Sequence, residues 1–235
     1  MPTPLIIMVG ADKGGVGKTT VARALSDYLY RRHAAAKMFD TEFPAGDLKR
    51  FVPAADIIDI ARVQDQMKVF DTLAGVTVVD VRAGLLSPTL AALDRARLLD
   101  DVRAGAIGLA LLHVLGTSVS SLNEIADTAA VLGAGVKHFL VKNHISEGGF
   151  ADWDNDSRFA SHFRAMASAT INVPTLAAPA CDAVQKLGVS FSAFAGDAAQ
   201  SRMLRGYVGN WLSTVWAEFD RVALGGLIDA AIAAG

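Results

Sequence analysis

Apolar positions along this chain fall into short unbroken runs, separated by stretches in which they recur at helical spacing. Leu5–Val9 is such a run and ends at Gly10, which predicts a buried strand. From Thr19 to about His33 the apolar positions Val21, Leu25, Tyr28 and Leu29 predict a helix. Lys37–Asp40 predicts a short strand, Gln64–Leu73 a helix, and Val76–Val81 an apolar strand around Asp80. Pro88 opens a helix to about Leu99, since proline is tolerated in a first turn. Ile107–Leu115 predicts a strand, Ser120–Leu132 a helix, and Lys137–Lys142 a strand leading into Asn143. Asp154 to about Ala169 is amphipathic and predicts a helix, followed by a last short strand over Val173–Leu176. A long helix is expected from Asp197 to about Leu224, striped by Trp211, Val215, Trp216 and Phe219, and an apolar terminal helix over Leu224–Ala234.

Strands that alternate with helices pair in parallel through right-handed crossovers. The expected class is therefore α/β: a single doubly wound, mostly parallel sheet with helices on both faces. With 235 residues and no linker or repeat, residues 1–235 read as one domain. Hydrophobic residues at 52% against 20% charged suit strands covered on both faces, which are continuous in their apolar character. Ligands of such sheets sit beyond the carboxyl ends of the strands. The pattern puts Gly10–Thr20, Asp40, Asp80 and Asn143 at four such ends.

The loop Lys13-Gly14-Gly15-Val16-Gly17-Lys18-Thr19-Thr20 lies between the first strand and the first helix. A polyphosphate needs many donors at close range. Glycines let successive N–H groups turn inward, and a helix N-terminus behind them adds partial positive charge. Lys18 would reach the β- and γ-phosphates, and the Thr19 hydroxyl would ligate magnesium. The strict pattern G-x-x-x-x-G-K-[ST] is not met, because its first position is Asp12; the match is to K-G-G-x-G-K-[ST]-[ST].

In this form the loop resembles the deviant Walker A motif of the ParA/MinD family of P-loop ATPases. The resemblance implies ATP or ADP with Mg2+ as ligands, and a homodimer formed on ATP binding. Lys13 would reach the nucleotide of the partner subunit. Asp80 resembles the family's Walker B aspartate, and Asp80-Val81-Arg82-Ala83-Gly84 its switch II, with the Gly84 N–H meeting the γ-phosphate. Phe39-Asp40-Thr41-Glu42-Phe43-Pro44 resembles its switch I, D-x-D-P, so Asp40, Asp80 and Thr19 would serve the metal. Glu42 stands where the family has an aspartate that positions the attacking water, and the proline is one place late. The extra methylene displaces the carboxylate on a scale that matters for catalysis. Slow ATP turnover is expected. Asp47 is an alternative acid nearby. Asn143 resembles the family's purine-binding asparagine, with Pro179-Ala180-Cys181-Asp182 as a loop on the other side of the base. Without N-K-x-D, adenine is expected rather than guanine.

The remaining chemistry is sparse. The net charge of −2 advertises no nucleic-acid partner. The family resemblance nevertheless implies nonspecific DNA binding through basic residues, for which Arg202, Arg205 and Arg221 are candidates, and a protein that stimulates turnover. Those arginines equally fit a solvated helix face. The aromatic–acidic stretch from Phe150 to Asn155 is a candidate partner contact. Cys181 is the sole cysteine, which excludes an intrachain disulfide. The five histidines show no ligand spacing and no G-x-S-x-G elbow occurs. Neither a signal peptide nor a run of ~20 apolar residues is present, so a cytoplasmic protein without a membrane span is expected.

The leading expectation is an ATP-dependent dimerisation switch in DNA partitioning or cargo positioning. The same loop also serves metabolic enzymes, such as ATP-dependent amidoligases or dethiobiotin-synthetase-like carboxylases, and Glu42 suits a nucleotide-holding module with little hydrolysis.

Overall fold

β1 (Leu5–Gly10) is apolar on both sides because both sides are covered. Ile7 and Val9 point into one apolar layer, and Ile6 and Met8 into the other. The computed structural model describes residues 3–11, 13–116, 128, 131, 132, 135–145, 149, 150, 153, 155 and 167–233, with backbone only for 167 and 168. Asp12 and most of the expected helix Ser120–Leu132 lie outside the described residues.

The other strands are β2 (Ala36–Asp40), β3 (Asp56–Ile57), β4 (Val76–Asp80), β5 (Gly108–Leu115), β6 (Lys137–Asn143) and β7 (Ala167–Val173). They form one seven-stranded sheet in the order β3-β2-β4-β1-β5-β6-β7. Every pairing is parallel. The sheet runs to one side of β1 through β4 and β2, and to the other through β5, β6 and β7. All carboxyl ends face one edge, and β1 lies in the middle of it.

Helices α1 (Lys18–Arg31), α2 (Val63–Phe70), α3 (Leu86–Arg95) and α4 (Leu98–Arg103) connect the first five strands. Beyond β7 come α5 (Ala178–Leu187), α6 (Phe191–Gly196), α7 (Arg202–Arg221) and α8 (Leu224–Ile232). α1 and the four C-terminal helices cover one face, with Leu25, Tyr28, Phe191, Trp211 and Phe219 among the buried contacts. α2, α3 and α4 cover the other through Val69, Leu90 and Leu99. α8 packs on the domain with Leu224, Ile228 and Ala231 buried, and Arg32, just past the end of α1, forms an ion pair with Asp229. Among the described residues no helix is long and apolar enough to cross a membrane.

Four expectations change. The helix expected from Pro88 to Leu99 is two helices, because Arg97 takes a left-handed φ of 63° and ends the first. Residues 167–169, expected to close a helix, belong to β7, and the strand stops at Val173 instead of spanning Val173–Leu176. Ile171 and Val173 are buried while Asn172 is exposed, a two-residue period fixed by pairing with β6, and Pro174 has no N–H to continue it. The long helix begins at Arg202 rather than Asp197, since the Ser201 hydroxyl accepts from the Leu204 N–H and caps it there. Pro179-Ala180-Cys181-Asp182 lies within the first turns of α5, not in a loop.

Two histidines are buried side by side on β5 and β6, with His113 Nε2 and His138 Nδ1 3.1 Å apart. Burial lowers His113 to about 3 and His138 to about 4. An unfolded histidine takes its proton near pH ~6.5, so below that the unfolded chain binds protons that the folded chain refuses. The stability from keeping the pair neutral is present above that pH and is lost as pH falls through 6.5 toward 4. Asp27, raised by burial, slopes the opposite way and is common to any variant of the pair. Unfolding free energies from urea melts between pH 7 and 4.5 should therefore fall more steeply in the wild type than in His113→Leu, by up to about 1.4 kcal/mol per pH unit. Parallel slopes would remove the histidines from this role.

Candidate functional site

The chain leaves β1 at Gly10 and re-enters helix at Lys18, and the turn between them is built on Gly15 (φ 75°) and Gly17 (φ 84°). Gly17 is also the N-cap of α1, and no side chain caps that end. The first N–H groups of α1 therefore face outward with the helix's partial positive charge, a ready seat for an anion. Val16 points the other way, into the core, and contributes only its backbone to the loop.

Asn143, at the end of β6, supports this loop from below. Its Nδ2 donates to the Val16 carbonyl at 2.9 Å and to the Gly17 carbonyl at 3.4 Å. The contact is so close that a Cβ on Gly17 would lie 2.2 Å from Nδ2. The expected base-reading asparagine thus has its amide nitrogen committed to the Lys13–Thr20 loop, with Oδ1 left for another partner.

A cavity of about 380 Å³ opens beyond the ends of β1, β2 and β4. Gly14, Gly15, Gly17, Lys18, Thr19 and Thr20 line one wall. Asp40, Glu42, Asp47, Asp80 and the stretch Val81–Ala83 line the rest. The structure therefore brings together Lys18, Thr19, Thr20, Asp40, Glu42 and Asp80, drawn from three strand ends. It leaves Lys13 and Gly84 out of that lining. Lys13 is exposed, and its side chain lies beside Gly116 at the end of β5, on the side of β1 away from β4. Its carbonyl accepts a hydrogen bond from Lys18 Nζ at 3.3 Å.

Two further groups hold the acidic wall. Asp40 is buried, and its carboxylate accepts from the Glu42 N–H at 2.9 Å and the Lys49 N–H at 3.0 Å, so it folds the loop after β2 back on itself. The Thr41 hydroxyl donates to the Asp80 carbonyl at 3.1 Å and accepts from the Arg82 N–H at 2.7 Å. The ends of β2 and β4 are thereby stapled together. Glu42 then meets Arg82 across the cavity rim, Oε1 to Nε 3.2 Å. Sequence reasoning named Thr41 and Arg82 only as members of their stretches. Nothing local in the sequence signals a contact between residues forty places apart.

Burial pushes the Asp80 carboxyl up to about 7; the Thr19 hydroxyl and Lys18 oppose the shift, while Asp40 and Asp47 add to it. The lining carries four carboxylates against Lys18 and Arg82. This donor set fits a nucleotide phosphate chain with a hard divalent cation: a glycine turn at the start of α1, one lysine, and hydroxyl and carboxylate oxygens together. Thr19, Asp80 and Asp40 would hold the cation, directly or through water, and the cation would neutralise charge building on the phosphates. Among the described residues no cluster of His, Cys, Asp and Glu forms a metal site by itself. Arg221 of the expected basic surface is engaged by Glu218 and the Thr170 carbonyl, whereas Arg202 is exposed.

Neither a protein-family model nor a curated protein matches the chain. Solved structures do. The MinD cell division protein of Aquifex aeolicus superposes with a TM-score of 0.50 and 14% identity, over 90% of this chain and 97% of that one. A nucleotide-binding protein of Archaeoglobus fulgidus, in complex with ADP, gives 0.49 and 12% over 91% of this chain and 90% of that one. A plasmid partition protein of Borrelia burgdorferi gives 0.45 and 12% over 93% and 99%. At such identities the likeness is one of architecture. By fold, this chain is similar to the MinD cell division protein of Aquifex aeolicus: one parallel sheet with helices on both faces.

Proposed function

We propose that the chain is a ParA/MinD-type ATPase: it binds ATP with Mg2+, dimerises on doing so, and is reset by slow hydrolysis. One observation carries this reading. The octapeptide Lys13–Thr20 folds at the carboxyl end of β1 with Lys18 and Thr19 in the same cavity as Asp40 and Asp80. In the proposed complex, the α1 N-terminus and Lys18 bind the phosphates, Thr19 and Asp80 orient the cation, and Lys13 serves the partner's nucleotide. Asn143 holds the loop in shape and offers Oδ1 to the base. The switch would act in DNA partitioning or in positioning a cargo, with nonspecific DNA and a stimulating protein as partners. A cytoplasmic location accords with this.

Glu42 favours a second reading, a nucleotide-holding module with little turnover, because its carboxylate is occupied by Arg82 rather than free to orient water. Titration with a fluorescent ATP analogue at millimolar Mg2+, hydrolysis measured with and without DNA, and mass by light scattering separate the two. Lys18→Ala should weaken ATP by on the order of 100-fold or more, the scale of losing a desolvated charge-assisted contact. Absence of any purine nucleotide affinity in the wild type would end the proposal.

A further inference from the structure

The nucleotide reading leaves one cation of the cavity without a task. Arg82 follows Asp80 by two residues and lines the cavity, on the stretch where the chain leaves β4. Its backbone is fixed by the Thr41 hydroxyl, so the side chain is anchored at its base. The guanidinium makes one contact, from Nε to Glu42. Among the described residues its two Nη groups make none. Planar pairs of N–H donors match a phosphate's oxygens, which is the chemistry for which arginine is suited over lysine.

The pair is also built to yield. Side chains of Arg82 and Glu42 are 49% and 37% exposed, so water screens their attraction and the bond contributes little. Glu42 itself lines the cavity and would be repelled by an incoming terminal phosphate. Lys18 lines the same cavity, with its Nζ hydrogen-bonded to the loop carbonyl of Lys13. A polyphosphate seated on the loop would thus share its cavity with two cations, Lys18 and Arg82.

We propose that Arg82 reads the terminal phosphate of a nucleoside triphosphate in its own subunit, and that Glu42 restrains it until that phosphate arrives. Arg82 is then a specificity-determining residue that separates triphosphate from diphosphate. Because Glu42 lies in the loop after β2 and Arg82 in the one after β4, exchange of partners would also remove an ion pair between these loops, while the Thr41 bridge between them stays in place. This rests on the nucleotide reading above.

The test is the ratio of ATP to ADP affinity, measured by calorimetry with Mg2+ on the full chain, with thermal melts to check folding. Arg82→Ala should weaken ATP about tenfold, ~1.4 kcal/mol, and ADP no more than about twofold. Arg82→Lys should recover part of the loss. Glu42→Gln, similar in size and uncharged, should tighten ATP several-fold and leave ADP nearly unchanged. The double variant should lose the benefit of Glu42→Gln, since no arginine is left to release. Equal effects of Arg82→Ala on ATP and ADP, or none on either, would overturn the proposal while leaving the nucleotide reading intact. A wild-type chain that binds neither nucleotide would overturn both.

Discussion

Gly17→Ala should cost the protein its nucleotide affinity and much of its stability. Two penalties meet at this one position. At φ 84° an alanine is strained by about 1–2 kcal/mol, because its Cβ crowds its own carbonyl. Independently, that Cβ would fall 2.2 Å from Asn143 Nδ2, inside any tolerable contact. Asn143 is buried and cannot swing into solvent, so either its bond to Val16 is given up or the loop lifts. Leaving a buried donor unmade costs roughly 1–3 kcal/mol more. The total, about 2–5 kcal/mol, is a large share of the ~5–15 kcal/mol by which domains are stable. A melting temperature lowered by several degrees is expected, together with loss of detectable ATP and ADP binding. Asn143→Ala removes the strut without the clash and should be milder in both measurements. If Gly17→Ala melts and binds like the wild type, the loop is not held as described.

The contrast between Gly17 and Asn143 shows which parts of the site were legible in the sequence. The loop Lys13–Thr20 is a local pattern: its glycines, lysine and hydroxyls act at fixed offsets, and their order alone states the chemistry. Asp40, Asp80 and Asn143 were placed because each closes an apolar run, and parallel strands bring all such ends to one edge. What each does there was less readable. Besides the metal and base roles expected of them, Asp40 accepts from two N–H groups of the loop after β2 and Asn143 donates to the Val16 carbonyl. The Asn143 contact joins residues 127 places apart and those of Asp40 lie within an irregular loop, and periodicity encodes neither. The same reasoning applies to the fold. β1, β4 and β5 stand out because they are buried on both faces. β3, a two-residue edge strand, buries too little to leave a pattern. β7 alternates, with polar Asn172 between Ile171 and Val173, and was misplaced by several residues.

Lys13→Ala should separate dimerisation from binding. Lys13 is exposed and absent from the lining of its own cavity, and it leans over Gly116 on the β5 side while the acidic wall lies on the β4 side. A cation so placed adds little to a phosphate bound in the same subunit. Facing a second copy across the cavity mouths, it would reach the other nucleotide and become desolvated between two phosphate chains. Removing one member of a desolvated charge pair costs on the order of 2–5 kcal/mol, and a symmetric dimer loses the contact twice. Nucleotide affinity within one subunit should therefore change by less than about threefold, whereas ATP-dependent association should weaken by at least a hundredfold on the same scale. Light scattering at micromolar protein with ATP and Mg2+ reads the second quantity, and titration with ADP, which needs no partner, reads the first. A Lys13→Ala chain that dimerises with ATP as the wild type does would remove the lysine from the interface. One that loses ADP as severely as Lys18→Ala would place its action within a single subunit.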